Sequence, residues 1–390
     1  MTSWITRLAA LFALAASTAA AQPALVVGAA VSSTGAHAEL AEPYARGLQQ
    51  WAQEVNASGG ILGRKLELRL LDDGSEARRA GEAYRKLIED GARALIGPYG
   101  SAATLLAAAE AEASQRVLVN GAGWSGAVHS RAPRFVFQSA VPYSAYENVV
   151  HLAKAAGIAR AIILARDDPA AVEMATAAAA SAARVGIEAG AVQVFAASTV
   201  DFGPYVAAAR AANVQAWVAF AEVADAAEMV KTFKRLDYAP AFFYARGSSE
   251  PRIKELLGQD AELALGAVRY HPRAPTPGNG RFVKGYRARW GAEPPAAAAE
   301  GYAAGTVLAA ALKAAGTTDP GKVREALSKL RTSTVLGEFR VDPATGAQLA
   351  TAPVVTQMRR GRAEIAWPES LRARAPEFPY PQWSEREYLK

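Results

Sequence analysis

The sequence predicts an α/β protein of two lobes joined by short crossings, and three observations carry that prediction. Short β-branched or aliphatic runs alternate with alanine-rich amphipathic stretches along most of the 390 residues. Repeated βα units of this kind form parallel sheets covered on both faces. The strand candidates are too numerous for one comfortable sheet, and the series is interrupted after Val117–Val119 and again at Tyr270–Pro277 (YHPRAPTP). At 51% hydrophobic and 21% charged residues, the chain can bury large cores and lacks the composition of a disordered polymer.

Met1–Ala21 precedes the α/β pattern. Arg7 lies in a short n-region, Leu8–Ala16 is apolar, and Ala19-Ala20-Ala21 supplies a small-x-small site before Gln22. This is the pattern of a secretory signal peptide cut after about Ala21, and the apolar run falls short of the roughly 20 residues of a membrane span. The expected mature chain is exported to the periplasm.

The expected strands are Ala24–Gly28, Leu66–Leu71, Ala94–Ile96, Val117–Val119, Arg134–Gln138, Ala161–Ala165, Ala191–Phe195, Ala216–Phe220, Ala241–Tyr244 and Ala267–Tyr270. The first helix between them carries Leu40, Tyr44, Leu48, Trp51 and Val55 at spacings of four or three, one apolar stripe facing a core. The same logic places helices near 75–90, 101–115, 143–156, 170–184, 202–212 and 223–236, then 281–290 and 296–315. A second βα series begins at Val141-Pro142. Gly337–Val341 and a hairpin-like Val354–Arg359/Ala363–Ile365 follow, and little core is expected from the Pro-rich tail after Trp367.

Several function classes lose support on chemistry. There is no cysteine, hence no disulfide, thiolate metal site or Cys nucleophile. The net charge of +6 is dispersed, unlike the clustered basic charge of a nucleic-acid surface. His37, His129, His151 and His271 stand apart with no metal-ligand spacing, and no nucleophile motif occurs, so neither a metal nor a catalytic residue is assigned. Asp72-Asp73 and Asp167-Asp168 read as strand-end turns or helix caps before they read as cation sites. Gly121–Gly126 matches G-x-G-x-x-G after a strand. A nucleotide-dependent oxidoreductase would need a following helix and an acid about 20 residues on, but Pro133 interrupts that helix and the next strand ends at Gln138 without a carboxylate. A loop whose backbone N–H groups face a small ligand fits better, and no cofactor is called for.

Several segments carry a family resemblance. ALVVGAAVSSTGAHAEL and ARGLQQWAQEVNASGGILGRKLELRLLDD contain a helix ending in Asn56, the turn Gly59-Gly60-Ile61-Leu62-Gly63 and a strand closing in Asp72-Asp73. With KLIEDGARALIGPYGSAAT and Glu300-Gly301-Tyr302, they resemble the branched-chain amino acid (Leu/Ile/Val) binding proteins, type I periplasmic solute-binding proteins of ABC importers. The resemblance runs from Ala24 to about Ile365. It implies a Venus-flytrap of two Rossmann-like lobes joined by three crossings: 22–141 plus 269–338, and 142–268 plus 339–366, with 367–390 as a tail. It also implies a monomeric, non-enzymatic binder that delivers a small carboxylate ligand to a permease and its ATPase. A periplasmic ligand sensor of the same fold is the alternative.

By the same resemblance, Ser101 and the backbone of Ala122 and Trp124 take a ligand carboxylate, Trp124 replacing the family's Thr or Ser. Leu40 and Tyr302 line the cleft. Arg246 stands where amino-acid binders place a carboxylate for the ligand ammonium, and Glu222 where they often carry an aromatic residue. A guanidinium at that place repels an ammonium and attracts an anion. Glu222 and Arg246 then either bridge each other or hold opposite charges of one ligand. A small carboxylate-bearing ligand follows, amino-acid-like, aromatic or dicarboxylic, in preference to leucine, isoleucine or valine.

Overall fold

The structure, a computed structural model, describes residues 22–389, so the expected signal segment lies outside the described residues. Two parallel sheets are present. The first runs β1 (Leu25–Val31), β2 (Leu66–Asp72), β3 (Ala94–Ile96), β4 (Leu118–Asn120) and β5 (Val136–Gln138) in the order β2-β1-β3-β4-β5. The second has β6 (Arg160–Arg166), β7 (Glu188–Ala189), β8 (Gln193–Phe195), β9 (Ala216–Phe220), β10 (Phe242–Ala245) and β11 (Leu265–Val268). A small hairpin, β12 (Thr332–Thr334) with β13 (Gly337–Phe339), stands apart, and β14 (Val354–Arg359) and β15 (Arg362–Trp367) extend the second sheet antiparallel beyond β11.

Helices α1 (Ala38–Ala57), α2 (Ala77–Glu89) and α3 (Ser101–Ala113) connect the first strands. The second series uses α4 (Asn148–Ala155), α5 (Pro169–Val185), α6 (Gly203–Ala211), α7 (Val223–Arg235) and α8 (Arg252–Leu257). The chain then returns to the first core with α9 (Asn279–Trp290), α10 (Ala296–Ala315) and α11 (Pro320–Lys329). It passes between the sheets at Val141, after β11, and between Val341 and Val354. Phe339 and Val341 still belong to the first core, and the Gly346 carbonyl accepts from the Gln138 amide at 2.8 Å. The last crossing therefore lies a few residues beyond 338.

Local chemistry explains these elements. Asn56 closes α1 onto β2, its Oδ1 accepting from the Leu66 N–H at 2.7 Å and its Nδ2 donating to the Leu66 carbonyl at 2.9 Å. The Gly60 turn that follows has φ +83°, and a Cβ there would meet the Arg64 carbonyl at 1.9 Å, so only glycine fits. Helices α1 and α10 approach so closely that a Cβ on Gly47 would strike the Ala298 carbonyl and one on Gly301 the Tyr44 carbonyl. That contact buries Tyr44, Leu48 and Trp51; Leu40, expected on the same stripe, is 58% exposed because it precedes the contact. Asp168 caps α5, accepting from the Ala171 N–H at 2.8 Å. Asp72 is occupied by N–H and O–H donors from Ser33, Thr34 and Gly74. Partial burial opposes its ionisation, but these donors hold its carboxyl below the usual range.

Helix α11 is not among the expected elements, although Asp319-Pro320 is a sound start signal, Asp319 accepting from the Lys322 N–H at 2.9 Å. The tail differs most from expectation. Phe378 stacks on Phe242 with centroids 5.4 Å apart, and Tyr380 is buried against Phe243. The Gln357 amide pairs with both backbone groups of Glu377, and the Trp383 indole donates to the Tyr238 carbonyl. The tail covers aromatic surface that the second sheet would otherwise expose. Tyr380→Ala should therefore cost roughly 3–5 kcal/mol, read as a lower denaturant midpoint; an unchanged midpoint would mean the tail adds nothing to stability.

Candidate functional site

The carboxyl edge of an open parallel sheet is where ligands bind, at the point where strand order reverses. In the first sheet that point lies between β1 and β3. The chain leaving β3 runs through Tyr99 and Gly100 into α3, with Ser101 as its first residue, and the chain leaving β4 forms the loop Asn120–Gly126. Ser101 Oγ accepts from the N–H groups of both Trp124 (3.0 Å) and Ser125 (3.1 Å). The loop is braced from behind: Asn120 bonds both backbone groups of Gly123, and the Trp124 carbonyl accepts from the Tyr143 N–H. Ala122 is fully buried, and its carbonyl is taken by the Gly100 N–H. The loop glycines answer to packing, since a Cβ on Gly121 would strike the Tyr44 hydroxyl and one on Gly123 the Thr104 hydroxyl.

Trp124 sits at the centre of an aromatic wall. Its ring meets Tyr99 edge-on with centroids 5.2 Å apart and lies 6.1 Å from Tyr143. The Arg269 guanidinium stands 4.4 Å over the same ring, a cation–π arrangement. Glu300, in the first turns of α10, accepts from the Trp124 indole at 2.8 Å and from Arg269 Nε at 2.7 Å. Its side chain is 0% exposed and its second oxygen finds no partner among the described residues, whereas Arg269 keeps 22% of its side chain exposed. The carboxylate therefore bears most of the desolvation. Burial pushes the Glu300 carboxyl up against the pull of Arg269 and Trp124. Burial also works against the charge on Arg269, but Glu300 more than offsets it and the guanidinium stays firmly protonated.

The second lobe adds its own groups at the carboxyl ends of β9 and β10. Arg246, just after β10, pairs with Glu222, just after β9, and keeps 18% of its side chain exposed. Asp225, which holds the Glu222 N–H at 2.9 Å, is itself gripped by Arg166 at 2.9 and 3.1 Å. Glu173 of α5 reaches the first lobe's loop, accepting from the Ser125 hydroxyl at 2.7 Å and the Gly126 N–H at 2.8 Å. Burial pushes the Tyr143 hydroxyl up to about 12, and the charges of Arg269, Arg246 and Glu173 all act on it.

Of the residues singled out from sequence, the structure gathers Ser101, Ala122 and Trp124 on one side and Glu222 and Arg246 on the other. Leu40 stands exposed in the first turn of α1. Tyr302 is turned away: its hydroxyl donates to Glu54 at 2.8 Å, its ring packs on Phe282, and it lines a separate cavity of about 310 Å³ between α1 and α10. The physical reason is helical phase. Glu300 faces Trp124 and Arg269, so Tyr302, two residues on, faces the other way. Tyr99, Tyr143, Glu173, Arg269 and Glu300 were missed; only the Arg269 charge directly after an apolar strand offered a local signal.

A family model described as periplasmic binding protein matches residues 24–363. An amino acid binding protein of Pseudomonas aeruginosa is 26% identical over 328 residues, covering 82% of this chain and 86% of its own. The crystal structure of a putative branched-chain amino acid ABC transporter from Silicibacter pomeroyi superposes with a TM-score of 0.81 at 21% identity, over 91% of this chain and 99% of that one. A solute-binding protein of an ABC transporter from R. palustris, in complex with benzoate, gives a TM-score of 0.67 at 20% identity, over 91% and 98% of the two chains. These structural likenesses establish the two-lobed α/β fold. No helix among the described residues is long and apolar enough to cross a membrane.

The Glu300 environment makes a testable statement about pH. Between the ordinary carboxylate value, about 4.3, and the raised value in the folded chain, the folded state binds more protons than the unfolded state. Stability therefore declines as pH rises through that window and levels off above it. Glu300→Gln should flatten that decline, checked by urea midpoints of both chains across pH; two parallel profiles would refute the assignment.

Proposed function

We propose that this chain, which belongs to the periplasmic binding protein family, captures a small carboxylate-bearing metabolite between its lobes and delivers it to a membrane permease energised by a separate ATPase. The observation that carries the ligand class is Arg246 at the carboxyl end of β10, paired with the half-exposed Glu222, together with the aromatic group Trp124, Tyr99 and Tyr143 at the carboxyl edge of the first sheet. Guanidinium forks match carboxylates, and aromatic walls match a planar or aromatic acid. The benzoate named with the R. palustris neighbour supports that reading. We place the lobe boundaries near 141, near 269 and in the return between Val341 and Val354, and carry Ser101, Glu222 and Arg246 as ligand-facing groups, the backbone of Ala122 and Trp124 being engaged by Gly100, Ser101 and Tyr143.

In this reading Arg246 exchanges Glu222 for the ligand carboxylate. The Glu222 side chain is 50% exposed and loses little when it turns to water, so the exchange is favourable where the ligand is bound more tightly than that partner. Ser101 fixes the loop N–H groups on the first lobe, and contacts from both sides bias the hinge toward closure. Lobe contacts made without ligand, such as Glu173 on Ser125 and Gly126, lower the free energy that closure requires.

A thermal-shift screen of the mature chain against aromatic acids, dicarboxylic acids and neutral amino acids tests this. A ligand at about 100 times its Kd stabilises the folded chain by about 2.7 kcal/mol. Aromatic or dicarboxylic acids should raise the melting temperature, and Arg246→Ala should abolish that rise. A response confined to leucine, isoleucine and valine, or one unchanged in Arg246→Ala, would overturn the ligand assignment.

A further inference from the structure

The opposite end of the second lobe carries a charge cluster that the cleft does not use. Strand β14 runs antiparallel to β11, so the β14–β15 turn lies at the amino end of β11, away from the cleft edge. A cavity of about 740 Å³ opens there, and Lys254, Arg359, Arg360 and Arg374 line it against two carboxylates, Glu262 and Glu377. Both carboxylates are already engaged. Glu262 accepts from the N–H groups of Arg360 at 2.7 Å and Gly361 at 2.6 Å. Glu377 pairs with Arg359 at 2.9 Å and only loosely with Arg374, at 3.9 Å.

Unspent donors remain. Arg359 is 7% exposed, yet its Nη1 has no partner among the described residues. Neither Lys254 nor Arg360 has an ion pair among the described residues, and Lys254 Nζ lies over Gly361, 2.6 Å from where a Cβ would stand. Arg360 and Gly361 both adopt left-handed backbone, φ +50° and +67°, in a two-residue turn that Asn-Gly would occupy with less strain. An arginine held there at a conformational cost places its charge beside the cavity.

We propose that this cavity binds a phosphate-type oxyanion, either a free phosphate compound or the head group of an anionic phospholipid. Several cations around an open cavity favour a multivalent tetrahedral anion over the single carboxylate of the cleft, because each oxygen meets its own donor. The site is independent of the proposed cleft ligand and stands whether or not that assignment holds.

The test uses the mature chain and the double variant Lys254→Gln/Arg360→Asn, asparagine being tolerant of left-handed backbone. Pyrophosphate binding is followed by calorimetry at low and high salt, and retention on phosphatidylglycerol vesicles is compared with retention on phosphatidylcholine. Saturable, salt-sensitive pyrophosphate binding weakened at least about tenfold in the variant, at unchanged melting temperature, supports a soluble phosphate ligand. Retention on phosphatidylglycerol alone, lost in the variant, supports a head group. The proposal is overturned if neither probe binds, or if the folded variant binds both as the parent does.

Discussion

Glu300 holds its carboxylate out of water, and three separate stretches of chain converge to make that tolerable. The loop after β4 brings the Trp124 indole, the crossing after β11 brings the Arg269 guanidinium, and α10 brings the carboxylate itself. A buried charge needs both a counter-charge and hydrogen bonds, and removing either partner leaves an expensive remainder. The aromatic wall and the crossing are therefore locked to each other before any ligand arrives. Gly301 beside it lets α10 come close enough to α1 for this placement.

The arginines share a design and differ in cost. Arg269 is committed to a partner that has no water to return to. Arg246 is held by Glu222, which is half in solvent. Coulomb attraction is discounted wherever one partner is well hydrated, so Arg246 is the guanidinium free to change partners while Arg269 supports the wall. Glu173 works in the same spirit across the lobes, its carboxylate taking the Ser125 hydroxyl and the Gly126 N–H.

Much of this was legible as pattern. The strands Ala94–Ile96, Ala216–Phe220 and Val354–Arg359 were read to the residue, since short aliphatic runs between turn signals leave little choice. The Asn56–Gly63 block was legible because its turn admits only glycine at Gly60. The place of Tyr302 was not legible, because an aromatic residue near a site looks the same in sequence whether its helix turns it inward or away. The tail misled because proline-rich, charged composition says nothing of the aromatic surface that Phe378 and Tyr380 find.

Taken alone, the chain's order of residues determined the alternation of strands and helices, the turn at Gly60, the cap at Asp168 and the placement of Arg246 after its strand. All of these depend on neighbours a few positions apart, where backbone sterics and periodicity decide. Tertiary structure alone decided that Glu300 meets Trp124 across 176 positions, that Glu173 reaches Ser125, and that Lys254 lies over the Gly361 turn. Such meetings follow from how two sheets and their crossings pack, and burial and charge pairing act on that three-dimensional proximity, which no local pattern encodes.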